Sequence, residues 1–171
     1  SVMQKYSIIK ERGDNVEFLK REYSERFYIG IEKQGGIKPN TDPLIGQLWE
    51  SFMNDDFSLL NKDELEMNFI GLECYPPDFS ESHEFDYYAL VESKELLKKP
   101  GFVSKKLPKG TYVSFKIEYD DIMNQIMKVY DYVKQQQMKV HLGFDYEEYI
   151  PTEDYNNPGA ILYLSLLLDE N

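Results

Sequence analysis

One order of elements, strand, helix, strand, strand, recurs along the chain, and that order limits the folds open to it. In the first pass, residues 16–35 read as an extended segment, with apolar positions at Val16, Phe18, Phe27, Ile29 and Ile31 and a stop at Gly35-Gly36. The residues before it, 1–15, are a lead-in. Asp42-Pro43 then offers an N-cap followed by a proline at the first helical position, and Leu44, Ile45, Leu48, Trp49, Phe52 and Met53 recur on one helical face. Beyond a polar stretch from Asn54 to Glu66, Met67 to Tyr75 reads as a strand. Pro76-Pro77 ends it, because proline donates nothing to a ladder. Phe85 to Val91 is a further strand by its aromatic and β-branched content.

The second pass begins with a predicted hairpin, Gly101 to Lys106 and Thr111 to Ile117 around a turn at Pro108-Lys109-Gly110. Asp120 and Asp121 put negative charge where a helix N-terminus favours it, and Ile122, Ile126, Val129, Tyr130 and Val133 follow at helical spacing. Phe144 to Ile150 reads as a strand closed by Pro151. Asn156 to Gly159 turns the chain into a last strand from Ala160 to Leu168. The expected fold is α+β: one domain over 1–171, built of duplicated β-α-β-β units (16–93 and 101–168) that form an antiparallel sheet with two helices. Pseudo-twofold halves of this kind would meet at a central cleft, a usual place for small molecules.

Charge removes several functional classes. The net charge is −12, from 19 Lys and Arg against 31 Asp and Glu, so a phosphate backbone is repelled and direct nucleic-acid binding is not expected. No window approaches the roughly 20 apolar residues of a membrane span. Ser1 to Lys5 lacks the apolar core of a signal peptide, so the expected location is cytoplasmic. Cys74 is the single cysteine, and His83 and His141 stand at no zinc-ligand spacing. Neither a metal nor a cofactor is called for.

What remains is a cation chemistry. Gly143 to Tyr149 sets acidic groups among rings in a strand, within a chain of 14 Tyr and 10 Phe. A ring face attracts a cation by about 0.5 to 2 kcal/mol, and a buried carboxylate supplies the opposing charge. Burial also favours the neutral acid, which a bound cation would return to its charged form. A solvated acidic strand edge is the plainer alternative, but the pattern occurs twice. Glu73-Cys74-Tyr75 precedes Pro76, and Glu147-Glu148-Tyr149 precedes Pro151; Tyr88 comes fifteen residues after Glu73, and Tyr163 sixteen after Glu147.

Phe85 to Glu92, Gly101-Phe102 with Leu107 to Phe115, and the Phe144 to Tyr149 strand together resemble the GyrI-like small-molecule-binding domain. That is also the effector-binding domain of AraC-type and MerR-type multidrug regulators. The likeness spans residues 16–168. It implies a cleft for bulky aromatic cations, with a glutamate on the penultimate strand in an aromatic-Glu-x-Tyr pattern as its main acid. Tyr146-Glu147-Glu148-Tyr149 matches that pattern, so the resemblance assigns the role to Glu147, with Glu148 one residue out of register. Leu90 stands where family members often carry glycine.

The expected ligand-binding set is therefore Glu147, Tyr149, Tyr163, Tyr75, Tyr88, Trp49, Glu73 and Tyr112. Trp49 either lines the cleft or packs in the core, and the same choice stands for Tyr75, Tyr88 and Tyr163. Glu73 is the lesser acid, an alternative cap or solvent-facing group. The first functional expectation is a stand-alone module that binds lipophilic aromatic cations for sequestration or sensing. The second is a hydrolase of strained cyclopropane-containing DNA-alkylating compounds, with Glu147 as general base. The third is a protein-interaction module such as a modulator of gyrase.

Overall fold

The computed structural model describes residues 6–10, 17–37, 42–117, 122–151 and 160–169. Along the chain the elements are β1 (Tyr6–Lys10), β2 (Glu17–Tyr23), β3 (Arg26–Ile37), α1 (Asp42–Ser51), β4 (Leu65–Cys74), a helical turn α2 (Phe79–Ser82) and β5 (Phe85–Ser93). They continue as β6 (Val103–Leu107), β7 (Gly110–Ile117), α3 (Ile122–Gln135), β8 (Phe144–Pro151) and β9 (Ala160–Leu167). The fold is α+β and its strands pair antiparallel. No helix among the described residues is long and apolar enough to cross a membrane.

Two compact units divide the chain. One is contiguous, Glu25–Pro108; the other joins Ser1–Ser24 to Lys109–Asn171. The contiguous unit orders its strands β4-β5-β3-β6, and the two-segment unit β8-β9-β7-β2-β1. In each, the strand-helix-strand-strand run places its last strand between the other two, β5 between β4 and β3, β9 between β8 and β7. The duplicated order expected from the sequence thus corresponds to a duplicated strand order within the units.

Four local expectations are corrected. The predicted hairpin of 101–117 does not form: β6 pairs with β3, Gly30 opposite Val103 and Arg26 opposite Leu107, while β7 lies between β2 and β9. Burial explains the choice of partners. Tyr112, Val113, Ser114 and Phe115 are all buried, so β7 needs neighbours on both edges, whereas β6 carries Lys105 and Lys106 and suits an open edge. The single extended segment expected over 16–35 is two strands, parted at Ser24-Glu25, and they belong to different units. Its glycine stop is not a stop, since β3 runs on to Ile37 with a register shift after Lys33. Within the lead-in, β1 pairs with β2, Ile8 opposite Leu19. Val16, Asp120, Asp121 and Asn156 to Gly159 lie outside the described residues.

Each unit buries one sheet face under its own helix. Leu44, Ile45, Leu48 and Trp49 of α1 pack against Ile37, Phe85 and Tyr87, and Leu48, Trp49 and Phe52 against Ile29, Ala89 and Val91. After Ser51 the helix widens into a π turn, Phe52–Asp56, in which the Phe57 N–H donates to the Phe52 carbonyl. That extra residue matters for packing. A regular helix would carry Asp56 to the core position after Phe52; the wider turn brings Phe57 there instead, and its ring meets Phe52 at 6.0 Å and Phe69 at 5.4 Å. In the two-segment unit, Val129, Tyr132 and Val133 of α3 cover Phe18, Val113, Phe115, Ile117, Leu162, Leu164 and Leu166. Each such buried side chain contributes about 1.5 to 3 kcal/mol.

Candidate functional site

Successive residues of a strand point to opposite sheet faces, and directly paired residues share a face. That rule sorts the acidic strand β8. Glu147 stands opposite Leu164, which stands opposite Phe115, and Tyr149 stands opposite Leu162. These partners belong to the core under α3, so Glu147 and Tyr149 lie on the helix-bearing face. Glu147 is only 7% exposed. The Tyr149 hydroxyl donates to its Oε2 at 3.1 Å. Two residues back on the same face, fully buried Asp145 accepts from the Tyr130 hydroxyl, which ties β8 to α3.

Glu148 turns the other way. Its Oε2 lies 2.7 Å from the guanidinium of Arg21, which also donates to Ser114 Oγ at 2.8 Å. Ser114 in turn shares a hydrogen bond with Ser165 at 2.7 Å. Arg21 lies over the Tyr23 ring, 5.4 Å from its centre. Burial weighs against the charge on Arg21, but Glu148, aided by Tyr23 and Tyr146, holds its pKa above the ordinary arginine value. The two neighbouring glutamates therefore have separate environments: one bonded to a tyrosine on the helix face, one ion-paired on the far face.

The contiguous unit repeats the first of these. Glu73, 5% exposed, stands opposite Tyr87 on β5, whose ring belongs to the core beneath α1. The Tyr75 hydroxyl donates to Glu73 Oε2 at 2.9 Å. Trp49 Nε1 donates to the Tyr87 hydroxyl at 2.8 Å. Tyr87 reaches across β4 because residue 71 is glycine; a Cβ there would overlap its hydroxyl.

Five of the eight expected ligand-binding residues, Glu147, Tyr149, Glu73, Tyr75 and Trp49, thus sit on the helix-bearing face of their own unit. The other three do not. Tyr163 pairs with Glu148 and shares its face. Tyr112 is fully buried on that far face, its ring 5.7 Å from Tyr23 and 5.8 Å from Tyr146. Tyr88 lies on the far face of the contiguous unit, with Lys105 Nζ 4.2 Å from its ring centre. Burial first, then Cys74, Glu32 and Asp86, pushes the Tyr88 phenol well above the ordinary tyrosine value.

Tyr88 and Tyr163 are also not equivalent positions, since the residues opposite Glu73 and Glu147 are Tyr87 and Leu164. Residue counting missed Tyr87 by one place. The doublet Tyr87-Tyr88 carried a signal, because one member of any strand doublet must face the helix. Arg21 carried none: its partners Ser114 and Glu148 lie far along the chain.

Residues 17–164 match the model of the GyrI-like small molecule binding domain. No curated protein sequence matches the chain. Among solved structures, it is similar to SAV2435 bound to tetraphenylphosphonium, at 12% identity and a TM-score of 0.67 over 89% of this chain and 93% of that one. An integron cassette protein from the mobile metagenome of Vibrio cholerae follows at 19% identity and a TM-score of 0.61, over 88% and 95%. The C-terminal domain of EcmrR is similar at 10% identity and a TM-score of 0.58, over 91% and 99%.

Proposed function

The chain belongs to the GyrI-like small-molecule-binding domain family, and from that premise we propose that it binds bulky lipophilic aromatic cations, with Glu147 as the acidic anchor. One observation carries the reading: a carboxylate 7% exposed on the helix-bearing face, held by the Tyr149 hydroxyl at 3.1 Å. A carboxylate withdrawn from water is costly unless paired, and a cation that cannot itself be hydrated well pairs with it at little loss. The Tyr149 bond restricts the carboxylate rotamer, so less freedom is lost when the ligand arrives. The ion pair of Glu148 with Arg21 on the far face supports Glu147 rather than Glu148 in this role. The tetraphenylphosphonium held by the similarly folded SAV2435 supports the same ligand class here.

Calorimetric titration with tetraphenylphosphonium tests the assignment, with tetraphenylborate as an anion of the same shape. The cation binds saturably, the anion does not, and Glu147→Gln weakens the cation by about tenfold, an energy of about 1.4 kcal/mol. Equal affinity for both ions, or an unchanged Glu147→Gln, removes Glu147 from the role.

A further inference from the structure

We infer that the open edge of β6 is a docking strip for an extended acidic peptide segment of another protein, which joins the sheet there as an added strand. The strip belongs to the contiguous unit alone and involves neither Glu147 nor its strand.

Charge is spread unevenly along the chain. The net charge is −12, yet residues 94–109 carry Lys94, Lys98, Lys99, Lys105, Lys106 and Lys109 against one acid, Glu95. The fold gathers these lysines along one strand. β6 ends the strand order of its unit and pairs with β3 alone, from Gly30 opposite Val103 to Arg26 opposite Leu107. Its other edge therefore presents backbone N–H and C=O groups to which a strand can be added. Lys105 and Lys106 lie within β6 and leave it on opposite faces, and Lys109 follows just beyond its end. At its start the Ser104 hydroxyl donates to the Leu97 carbonyl, which holds the segment carrying Lys98 and Lys99 against β6. Lys94, Lys98, Lys106 and Lys109 are exposed. Lys105 rests over the Tyr88 ring and Lys99 lies 3.2 Å from Glu64.

Lysines on an edge strand keep other strands away, and one or two are enough for that. Six do more, because they make the strip selective. A neutral strand would leave Lys105 and Lys106 unanswered, and a second β6 would repel them. A strand with neighbouring acids at its centre turns one carboxylate towards each, since adjacent residues alternate faces. Opposite charges directly across a ladder contribute about 0.2 to 1 kcal/mol per pair. The backbone bonds of strand addition supply further affinity, and the flanking lysines draw the segment in. The size of the partner decides between kinds of polyanion. Charges more than about 8 Å away are largely screened at physiological salt, so a short peptide along β6 meets the lysines alone. A duplex or an anionic membrane would also meet the acidic remainder of the chain.

The experiment is calorimetric titration of the whole chain with the blocked peptide Thr-Val-Glu-Glu-Asp-Val-Thr, together with hydrogen exchange of the Val103 to Leu107 amides that face away from β3. One control peptide replaces the three acids by Gln, Gln and Asn. Another is N-methylated at those three residues, which keeps the charge and removes the ladder. The acidic peptide is expected to bind saturably, to protect those amides and to weaken as salt rises. Each control binds at least about tenfold more weakly. So does the acidic peptide to the double variant Lys106→Glu with Lys109→Glu, whose folding is checked by urea.

Equal binding of the acidic peptide and either control overturns the strip, as does protection that spares β6 or an unchanged affinity in the double variant. Binding of the chain to phosphatidylserine vesicles with no binding of the peptide overturns it too, and assigns the lysines to a membrane surface instead.

Discussion

Glu147 and Glu148 are adjacent on β8 and leave it on opposite faces, the first to the Tyr149 hydroxyl and the second to the Arg21 guanidinium at 2.7 Å. A single peptide unit thus separates a carboxylate that accepts from a phenol from one that is ion-paired with a guanidinium. The proposed anchoring role of Glu147 and the ion pair of Glu148 can therefore be tested separately.

Glu148→Gln removes the counter-charge of a buried arginine. We expect a loss of about 3 kcal/mol in folding stability, the usual cost of stranding one member of a buried pair, with tetraphenylphosphonium affinity unchanged. Urea unfolding and calorimetry on the same sample check both halves. A Glu148→Gln variant that keeps its stability and loses cation affinity would exchange the two roles.

Gly71→Ala places a methyl group where the Tyr87 hydroxyl lies. The expected cost is roughly 1 to 3 kcal/mol, as for other overpacked cores. Because Tyr87 accepts from Trp49 Nε1, its displacement also shifts the tryptophan emission. Wild-type stability together with unaltered emission would show that Tyr87 is not held across β4.

Tyr88 supplies a dependence on alkaline pH. Its phenol is pushed up by burial and by Cys74, Glu32 and Asp86, so the unfolded chain releases that proton near pH about 10 while the folded chain keeps it. The stability it contributes is present below that pH and is lost as pH rises above it. Tyr88→Phe lacks this loss, and the difference between wild type and variant narrows between pH about 8 and about 10.5. Urea midpoints at the two values test the sign; a difference that widens contradicts it.

Local patterns announced their elements well. The α1 face from Leu44 to Phe52 and the α3 face at Ile126, Val129, Tyr130 and Val133 follow from spacing alone, since helical periodicity is set by residues a turn apart. Glu73 with Tyr75 and Glu147 with Tyr149 had to share a face, because two residues on is the same side of a strand. Pairing was another matter. The two-residue link at Pro108-Lys109 looks like a hairpin turn until the burial of β7 and the lysines of β6 are weighed together. Across α2 the register of β4 on β5 cannot be counted from Glu73, so residue counting points to Tyr88 where Tyr87 stands. Arg21 pairs with Glu148 only once β2, β7, β9 and β8 are aligned, a relation of distant segments that no local pattern encodes.

The exchange of β2 and β6 between units has a consequence for how the molecule is made. Everything in Glu25–Pro108 is contiguous, so that unit can close as soon as it leaves the ribosome. The β1 and β2 strands emerge before it, yet Phe18 finds its partner Phe115 only after the whole intervening unit has been synthesised. Until then the β2 edge is an open ladder with apolar residues attached, the kind of species that chaperones retain and that associates with other chains. The order of synthesis thus sets how long the β2 edge waits for β7.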